Sequence, residues 1–252
     1  MAKPILVGNW KNHPESLTKS NLLLTGLAKQ ASLYKSLTTF IAPPTVYFES
    51  ASKKIKSFAT LASQDIFFQS EGTFTGAITP DIMKSFGVKL AIIGHSERRA
   101  LGETNEVVLE KIKRAFQSGI SPLLCVGERE RNMEGDHFEF LEEELRMSLE
   151  GLRRKDDALK LVVAYEPIWA IGKKASDAMA PSDLSQTVIF IKKVLTDLFD
   201  RESAEKIPIL YGGSVEPDNA KALMETGIRG FLVGHSSLDP KSFALIAEAM
   251  VS

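Results

Sequence analysis

Side chains that can exchange protons or carry charge follow several short apolar segments of this chain. Glu166 comes directly after the segment LVVAY and before Pro-Ile-Trp, His95 directly follows LAIIG, and Lys11 directly follows ILVGNW. Carboxylates and imidazoles are common general acids and bases, and an ammonium group stabilises negative charge that develops on an oxygen. We therefore expect acid–base chemistry if the fold brings these three side chains together.

Polar residues or glycines end most of the apolar segments in the same way. They are Asn9, Lys11, Gln64, His95, Glu97, Cys125, Glu128, Glu166, Gly212, Gly213, Ser214 and Gly234. Any one of them could merely mark the point where a strand meets water, and for a single residue that is the commoner explanation. Their recurrence favours one shared site, because the carboxyl ends of the strands in a parallel barrel open onto one face.

Eight short segments rich in Val, Ile and Leu alternate with longer amphipathic segments. The predicted strands begin at Ile5, Thr38, Phe58, Leu90, Pro122, Lys160, Ile207 and Gly230. Helical patterns between them include residues 104–119, which Thr104 would cap and Gly119 would end, and a long one after Pro181. Near-continuous apolar strands are typical of a parallel sheet covered on both faces, so we expect an α/β protein with a closed (β/α)8 TIM barrel. An open doubly wound sheet is the alternative.

The composition is that of an ordinary soluble protein. The chain has 252 residues, 44% hydrophobic and 25% charged, and no low-complexity or linker-like stretch divides it, so we expect a single domain over residues 1–252. A net charge of -1 provides no general attraction for nucleic acid or membranes. Cys125 is the only cysteine, and no apolar run approaches the roughly 18 residues of a membrane span. We expect a cytoplasmic protein without nucleic-acid or membrane partners.

Five ordered segments resemble those of the triosephosphate isomerase family. They are GNWK (8–11), GHSERR (94–99), CVGE (125–128), AYEPIWAIG (164–172) and YGGS (211–214), and the resemblance extends over essentially the whole chain. It implies interconversion of glyceraldehyde 3-phosphate and dihydroxyacetone phosphate, a reaction of glycolysis and gluconeogenesis, through an enediol(ate) intermediate. No metal and no organic cofactor would be needed.

The resemblance also implies roles for residues at the strand ends. Glu166 would be the base and His95 a neutral electrophile, kept neutral by the helix start that follows it, as is known for this family. Lys11 and Asn9 would stabilise charge on the substrate oxygens. Glu97 would support Lys11 and proton transfer, although a carboxylate in the first turn of a helix can equally have a purely structural role.

Further residues would bind the phosphate and cover the site. Gly172, Ser214, Gly234 and His235 are the expected phosphate contacts, since glycine lets a ligand approach the backbone closely. The expected lid, which is known to close over the substrate in this family, comprises Pro167, Ile168, Trp169, Ala170, Ile171, Gly172, Lys173, Lys174, Ala175 and Ser176.

The chain departs from the family pattern in two of these places. The segment KKASDAMAPSD (173–183) lacks the usual second glycine of the lid and is longer before Pro181, and His235 stands where the family usually has a second glycine. The phosphate contact survives if the His235 N–H keeps its direction, while the added side chain brings bulk or partial positive charge.

The loop EGTFTGA (71–77) would, by the same resemblance, insert into a second subunit and place Thr75 near that subunit's Asn9 and Lys11. A homodimer is therefore predicted. Two other hypotheses about the function stay open at this point: a barrel enzyme for another sugar phosphate, and a catalytically silent barrel that acts as a binding or scaffold protein. The presence of Asn9, Lys11, His95 and Glu166 argues against both.

Overall fold

The computed structural model describes residues 2–69, 72–132, 134–152, 155–172 and 179–251. Eight parallel strands form a closed barrel in chain order, in which β1 pairs with both β2 and β8. The strands are β1 (Ile5–Asn9), β2 (Thr38–Ala42), β3 (Thr60–Ser63), β4 (Leu90–Ile93), β5 (Ser121–Val126), β6 (Val162–Tyr165), β7 (Ile209–Tyr211) and β8 (Gly230–Val233). The closed ring confirms the predicted (β/α)8 barrel and excludes the open doubly wound sheet.

Helices surround the barrel and return the chain from each strand to the next. They are α1 (Leu17–Ala28), α2 (Ala31–Tyr34), α3 (Phe48–Ile55), α4 (Pro80–Ser85), α5 (Ser96–Ala100), α6 (Asn105–Ser118), α7 (Asp136–Ser148), α8 (Lys155–Ala158), α9 (Pro181–Leu198), α10 (Arg201–Lys206), α11 (Pro217–Met224) and α12 (Pro240–Ala249). Every one of these helices is too short or too polar to cross a membrane.

Local signals in the sequence fix the ends of the best-predicted helices. The Thr104 side chain accepts a hydrogen bond from the Val107 N–H at the start of α6, and Gly119 ends that helix in the left-handed region with φ 71°. Pro181 occupies the first turn of α9, where its missing N–H costs no hydrogen bond. The short helices α2, α3, α4 and α10 were not predicted, because each offers too few turns for a clear periodic pattern.

Buried side chains form two layers on the opposite faces of the strands. The inner layer fills the barrel and consists of Val7, Ala42, Ala62, Leu90, Ile92, Leu123, Cys125, Val162, Ala164, Leu210 and Leu232. The outer layer lies between strands and helices and includes large side chains such as Trp10, Tyr165 and Phe243. Because both faces are covered, the strand ends at the mouth of the barrel are held rigidly, which is what a precise site requires.

Candidate active site

The Glu166 carboxylate lies buried at the carboxyl end of β6, only 2% exposed. Its Oε2 accepts a hydrogen bond from the Ser96 N–H at 3.2 Å, and its Oε1 lies 3.2 Å from Nε2 of His95. The Glu166 N–H donates to the carbonyl of Val126, which continues the pairing of β5 with β6 by one residue. The predicted base and the predicted electrophile are therefore in direct contact at the mouth of the barrel.

His95 is the residue that caps the N-terminus of α5. Its Nδ1 accepts a hydrogen bond from the Glu97 N–H at 3.2 Å, so the ring proton is on Nε2, the atom that faces Glu166. Because Nδ1 already accepts a hydrogen bond, Nε2 is the ring atom that can donate one into the site.

Lys11 follows β1 in an unusual backbone conformation, with φ 52°. Two side chains hold that conformation: Oδ1 of Asn9 accepts from the Lys11 N–H at 3.0 Å, and Nε2 of Gln64 donates to the Lys11 carbonyl at 2.7 Å. The ammonium group is paired with Oε1 of Glu97 at 2.6 Å. Asn9 and Glu97 thus both orient Lys11, whose charge lies at the edge of the cavity.

A cavity of about 180 Å³ extends from Glu166 and His95 to the ends of β7 and β8. Its wall on that side includes Gly172, Gly212, Gly213, Ser214, Gly234 and His235. Sites for drug-sized ligands usually enclose about 300–1,000 Å³, so this cavity suits a small substrate.

Two of the wall glycines have no room for a side chain. A Cβ at Gly212 would lie 2.8 Å from Cγ of Glu166, and one at Gly213 would lie 2.3 Å from the hydroxyl oxygen of Tyr211. Ser214 differs from its glycine neighbours, because its hydroxyl donates to the carbonyl of Ala170 at 2.8 Å. Its side chain therefore holds the segment after Glu166, and only its backbone remains to contact a phosphate.

A short 3₁₀ helix (His235–Leu238) follows β8, and Gly234 is the residue directly before it. The His235 side chain is exposed and belongs to the cavity wall. A Cβ at Gly234 would lie 3.4 Å from Cε of Lys11. This end of the cavity therefore adjoins both a lysine and a histidine.

The first part of the expected lid leaves Glu166 as a 3₁₀ helix over Ile168–Ala170. The Ile168 N–H donates to the Glu128 carbonyl at 3.0 Å, and Nε1 of Trp169 donates to Oε1 of the same residue at 2.9 Å. Ile171 and Gly172 line the cavity. Lys173, Lys174, Ala175 and Ser176 lie outside the described residues.

Glu128 has more polar contacts than its position after β5 indicated. Its buried carboxylate accepts hydrogen bonds from Tyr165 at 2.8 Å and Trp169 at 2.9 Å, and it pairs with Nε of Arg131 at 2.8 Å. Arg131 also lies over the Trp169 ring, 5.6 Å from its centre. Burial, followed by the negative charge of Glu128, raises the pKa of Tyr165, which keeps the phenol a donor. The sequence offered Glu128 as one more strand-end carboxylate but gave no signal for Arg131.

Thr75 lies at the tip of an exposed turn after β3, closed by a hydrogen bond from the Ala77 N–H to the Phe74 carbonyl. Phe74 packs on Phe67 with ring centres 4.9 Å apart and is itself 44% exposed. Thr75 lines neither the cavity of its own chain nor the strand ends.

These features define a class: a (β/α)8 barrel whose mouth brings a buried carboxylate, an imidazole and an ammonium group to one cavity lined in part by glycines. Among the described residues, no cluster of His, Cys, Asp and Glu is placed to hold a metal ion.

Comparison with known proteins gives the particular family. Residues 4–250 match the family model described as triosephosphate isomerase. The chain is similar to the triosephosphate isomerases of Citrifermentans bemidjiense (42% identity, 98% of each chain), a Thermoanaerobacter species (39%, covering 98% of this chain and 99% of the relative) and Carboxydothermus hydrogenoformans (37%, 100% of each). The chain belongs to the triosephosphate isomerase family and is an isomerase, which favours a catalytic function over a silent scaffold.

Proposed function

We propose that this protein interconverts glyceraldehyde 3-phosphate and dihydroxyacetone phosphate, with Glu166 as the base and His95 as the electrophile. The observation that carries the proposal is the contact between Oε1 of Glu166 and Nε2 of His95 at 3.2 Å, inside a cavity that also contains Lys11. Family membership and the small volume of the cavity support a triose phosphate rather than a larger sugar phosphate.

The chemistry follows from where the groups lie. Glu166 removes a proton from the carbon beside the carbonyl, the C–H electrons form a carbon–carbon double bond, and the carbonyl electrons move to oxygen. The His95 Nε2–H donates to that oxygen, and the Lys11 ammonium offsets its charge. The proton of the neighbouring hydroxyl then moves to the charged oxygen, and the O–H electrons form the new carbonyl. The electrons of the carbon–carbon double bond take the proton back from Glu166 at the former carbonyl carbon. Removing one donor at such an oxygen typically costs about 3–4 kcal/mol of transition-state stabilisation.

The phosphate group is assigned to the opposite end of the cavity. Backbone N–H groups of Gly172, Ser214, Gly234 and His235 are placed around it in this proposal, with Lys11 nearby. The segment from Pro167 to Ser176 acts as the lid. Excluding water matters here because it strengthens the electrostatic interactions inside the site and protects a reactive intermediate.

We also propose that the chain is one domain and that it functions as a cytoplasmic homodimer. Exposed apolar side chains support the dimer: Val46 is 82% exposed and Leu101 84% exposed. Leu101 lines a cleft of about 930 Å³ beside Lys11 and Glu97, which suits the protruding Thr75 turn of a second copy. A single buried free cysteine agrees with a reducing compartment. Light scattering that finds only monomer at micromolar concentration would contradict the dimer.

A coupled assay with glyceraldehyde 3-phosphate tests the reaction. We expect rapid turnover in the wild type and a loss of about a thousandfold in kcat for Glu166→Gln, because the amide cannot accept the proton. Glu166→Asp keeps the carboxylate but withdraws it by one methylene, so it should also lose most of its rate. Both variants should retain the wild-type unfolding midpoint. A folded wild type without turnover would refute the proposal.

A further inference from the structure

A second buried carboxylate lies behind the catalytic base. Glu144, on α7, is only 4% exposed, and its Oε2 accepts a hydrogen bond from the Gly127 N–H at 2.8 Å. Its Oε1 lies 3.1 Å from Nε of Arg99. The mechanism proposed above does not use this group, and a carboxylate that is buried on the apolar side of a helix requires an explanation.

Gly127 connects Glu144 to the base. A Cβ at Gly127 would lie 1.8 Å from the carbonyl oxygen of Glu166, so the two backbones are in direct contact. Residues 126 and 128 on either side of Gly127 accept the N–H groups of Glu166 at 2.8 Å and Ile168 at 3.0 Å. Whatever holds Gly127 therefore also sets the position of Glu166.

Arg99 connects Glu144 to the electrophile. Its Nε donates to the carbonyl of Gly94 at 2.8 Å, the residue directly before His95. Its Nη1 donates to Oδ1 of Asn105 at 2.6 Å, which anchors the guanidinium to α6. One ion pair thus links the backbone that carries Glu166 with the backbone that carries His95.

We infer that Glu144 is a positioning residue for the isomerisation, because by holding Gly127 and Arg99 it sets the separation between Glu166 and His95. This inference rests on the proposed function.

The charge on Glu144 changes in the neutral range. Burial raises the pKa of Glu144 to about 7; Arg99 and the Gly127 N–H oppose that shift, and the charges of Glu166 and Glu128 add to it. The ionised form accepts a hydrogen bond from the Gly127 N–H and forms an ion pair with Arg99, whereas the protonated form has no charge to pair with the guanidinium. The ion pair is therefore complete only above about pH 7.

Cys125 is another titratable group near Glu144. Burial raises the pKa of its thiol well above the ordinary value, and the charges of Glu166 and Glu144 act in the same direction. The thiol stays neutral across the range in which Glu144 titrates, so Cys125 adds no charge to the response.

The test compares Glu144→Gln with the wild type across pH in the coupled assay. Glutamine has the same shape and can still accept a hydrogen bond from the Gly127 N–H, but it neither carries a charge nor titrates. The ratio of wild-type to variant kcat/KM removes every titration the two proteins share, including that of the substrate. We expect this ratio to rise about threefold from about pH 6 to about pH 8.5, the equivalent of half a pKa unit, with the change in kcat rather than in KM.

Two further variants separate positioning from general effects. Glu142→Gln removes a surface carboxylate from the same helix, where Glu142 pairs only with Arg146 among the described contacts, and should give a flat ratio. Glu144→Asp keeps a titrating carboxylate on a side chain that is one methylene shorter. It should lower kcat about fivefold, and its kcat/KM should still depend on pH through this carboxylate.

Each outcome decides the inference. A flat ratio for Glu144→Gln in an active wild type would overturn the positioning role and leave the proposed function standing. A wild type without turnover would overturn both, because there would be no reaction for Glu144 to support.

Discussion

The base side of the site, at the ends of β4 to β6, consists of buried side chains that hold one another, whereas the proposed phosphate side, at the ends of β7 and β8, includes three glycines, Gly212, Gly213 and Gly234. On the base side, Glu128 binds Tyr165, Trp169 and Arg131. On the phosphate side, Gly212 and Gly213 lie at positions where an added Cβ would overlap the side chains of Glu166 and Tyr211, respectively. A proton transfer requires that one carboxylate oxygen is held at a fixed position. Phosphate binding instead requires several backbone N–H groups that no side chain covers.

The largest effect that would test this comparison should come from Glu128→Gln. The amide cannot accept all of the donors around it, and it leaves the half-buried Arg131 without its partner. We expect a loss of about 3 kcal/mol in the free energy of unfolding, measured by urea denaturation, together with lower kcat from a displaced Trp169. Glu130→Gln, at an exposed position two residues away, should change neither. An unchanged stability for Glu128→Gln would show that the base side does not depend on this network.

Gly212→Ala tests the phosphate side where it meets the base. The new methyl group would lie 2.8 Å from Cγ of Glu166 and should push the carboxylate aside. We expect kcat to fall about a hundredfold, as for a misplacement of about 1 Å, with a smaller change in KM. Gly87→Ala is the control, because its φ of 88° makes alanine strained there while no atom lies within 4 Å of the added group. If both variants lose stability but only Gly212→Ala loses rate, the effect is local to the base.

Glu144→Gln has a second consequence, for stability rather than rate. Folding raises the Glu144 pKa from its ordinary 4.5 to about 7, so the folded state binds the proton more tightly. The stabilisation by that proton is complete below about pH 4.5 and is lost as pH rises to about 7. We therefore expect Glu144→Gln to gain about 3 kcal/mol relative to the wild type over this range and nothing further above it. Denaturation curves at a series of pH values measure the difference, and a constant difference would contradict the raised pKa.

His235→Gly should have the smallest effect. If the histidine side chain only adds a partial positive charge near the phosphate, its removal takes away uniform binding, so KM should rise about threefold with kcat unchanged. Lys241→Ala removes a nearby exposed charge that does not line the cavity and should leave KM as it is. A lower KM in His235→Gly would mean that the side chain crowds the phosphate instead of attracting it.

Much of the fold could be predicted because its signals are local. Apolar segments gave all eight strands, and Thr104 and Gly119 marked both ends of α6. Boundaries were less well defined where apolar composition runs past the hydrogen bonds: the segment predicted from Lys160 pairs only from Val162. The short helices α2, α3, α4 and α10 were not predicted, since helices of about two turns are stabilised by their contacts with the barrel more than by their own sequence.

The site could be predicted only in part, for a related reason. Glu166, His95 and Lys11 stand at strand ends, where their types and order suggest chemistry. Glu144 carries one weak signal: it falls on the face of α7 that Leu141 and Leu145 bury, where a charged residue is unexpected. Its partners lie far away in sequence, on α5 and after β5, so no local pattern could identify what it binds.

The sequence by itself determined the alternation of strands and helices, the glycines of the phosphate side and the reactive residues at the strand ends. Each of these depends on the chemistry of one residue or of its near neighbours. Only the tertiary structure decided that Glu166 faces His95, that Glu97 pairs with Lys11 and that Arg99 joins Glu144 to Gly94. The physical reason is that these residues are distant in sequence and come into contact only when the barrel closes.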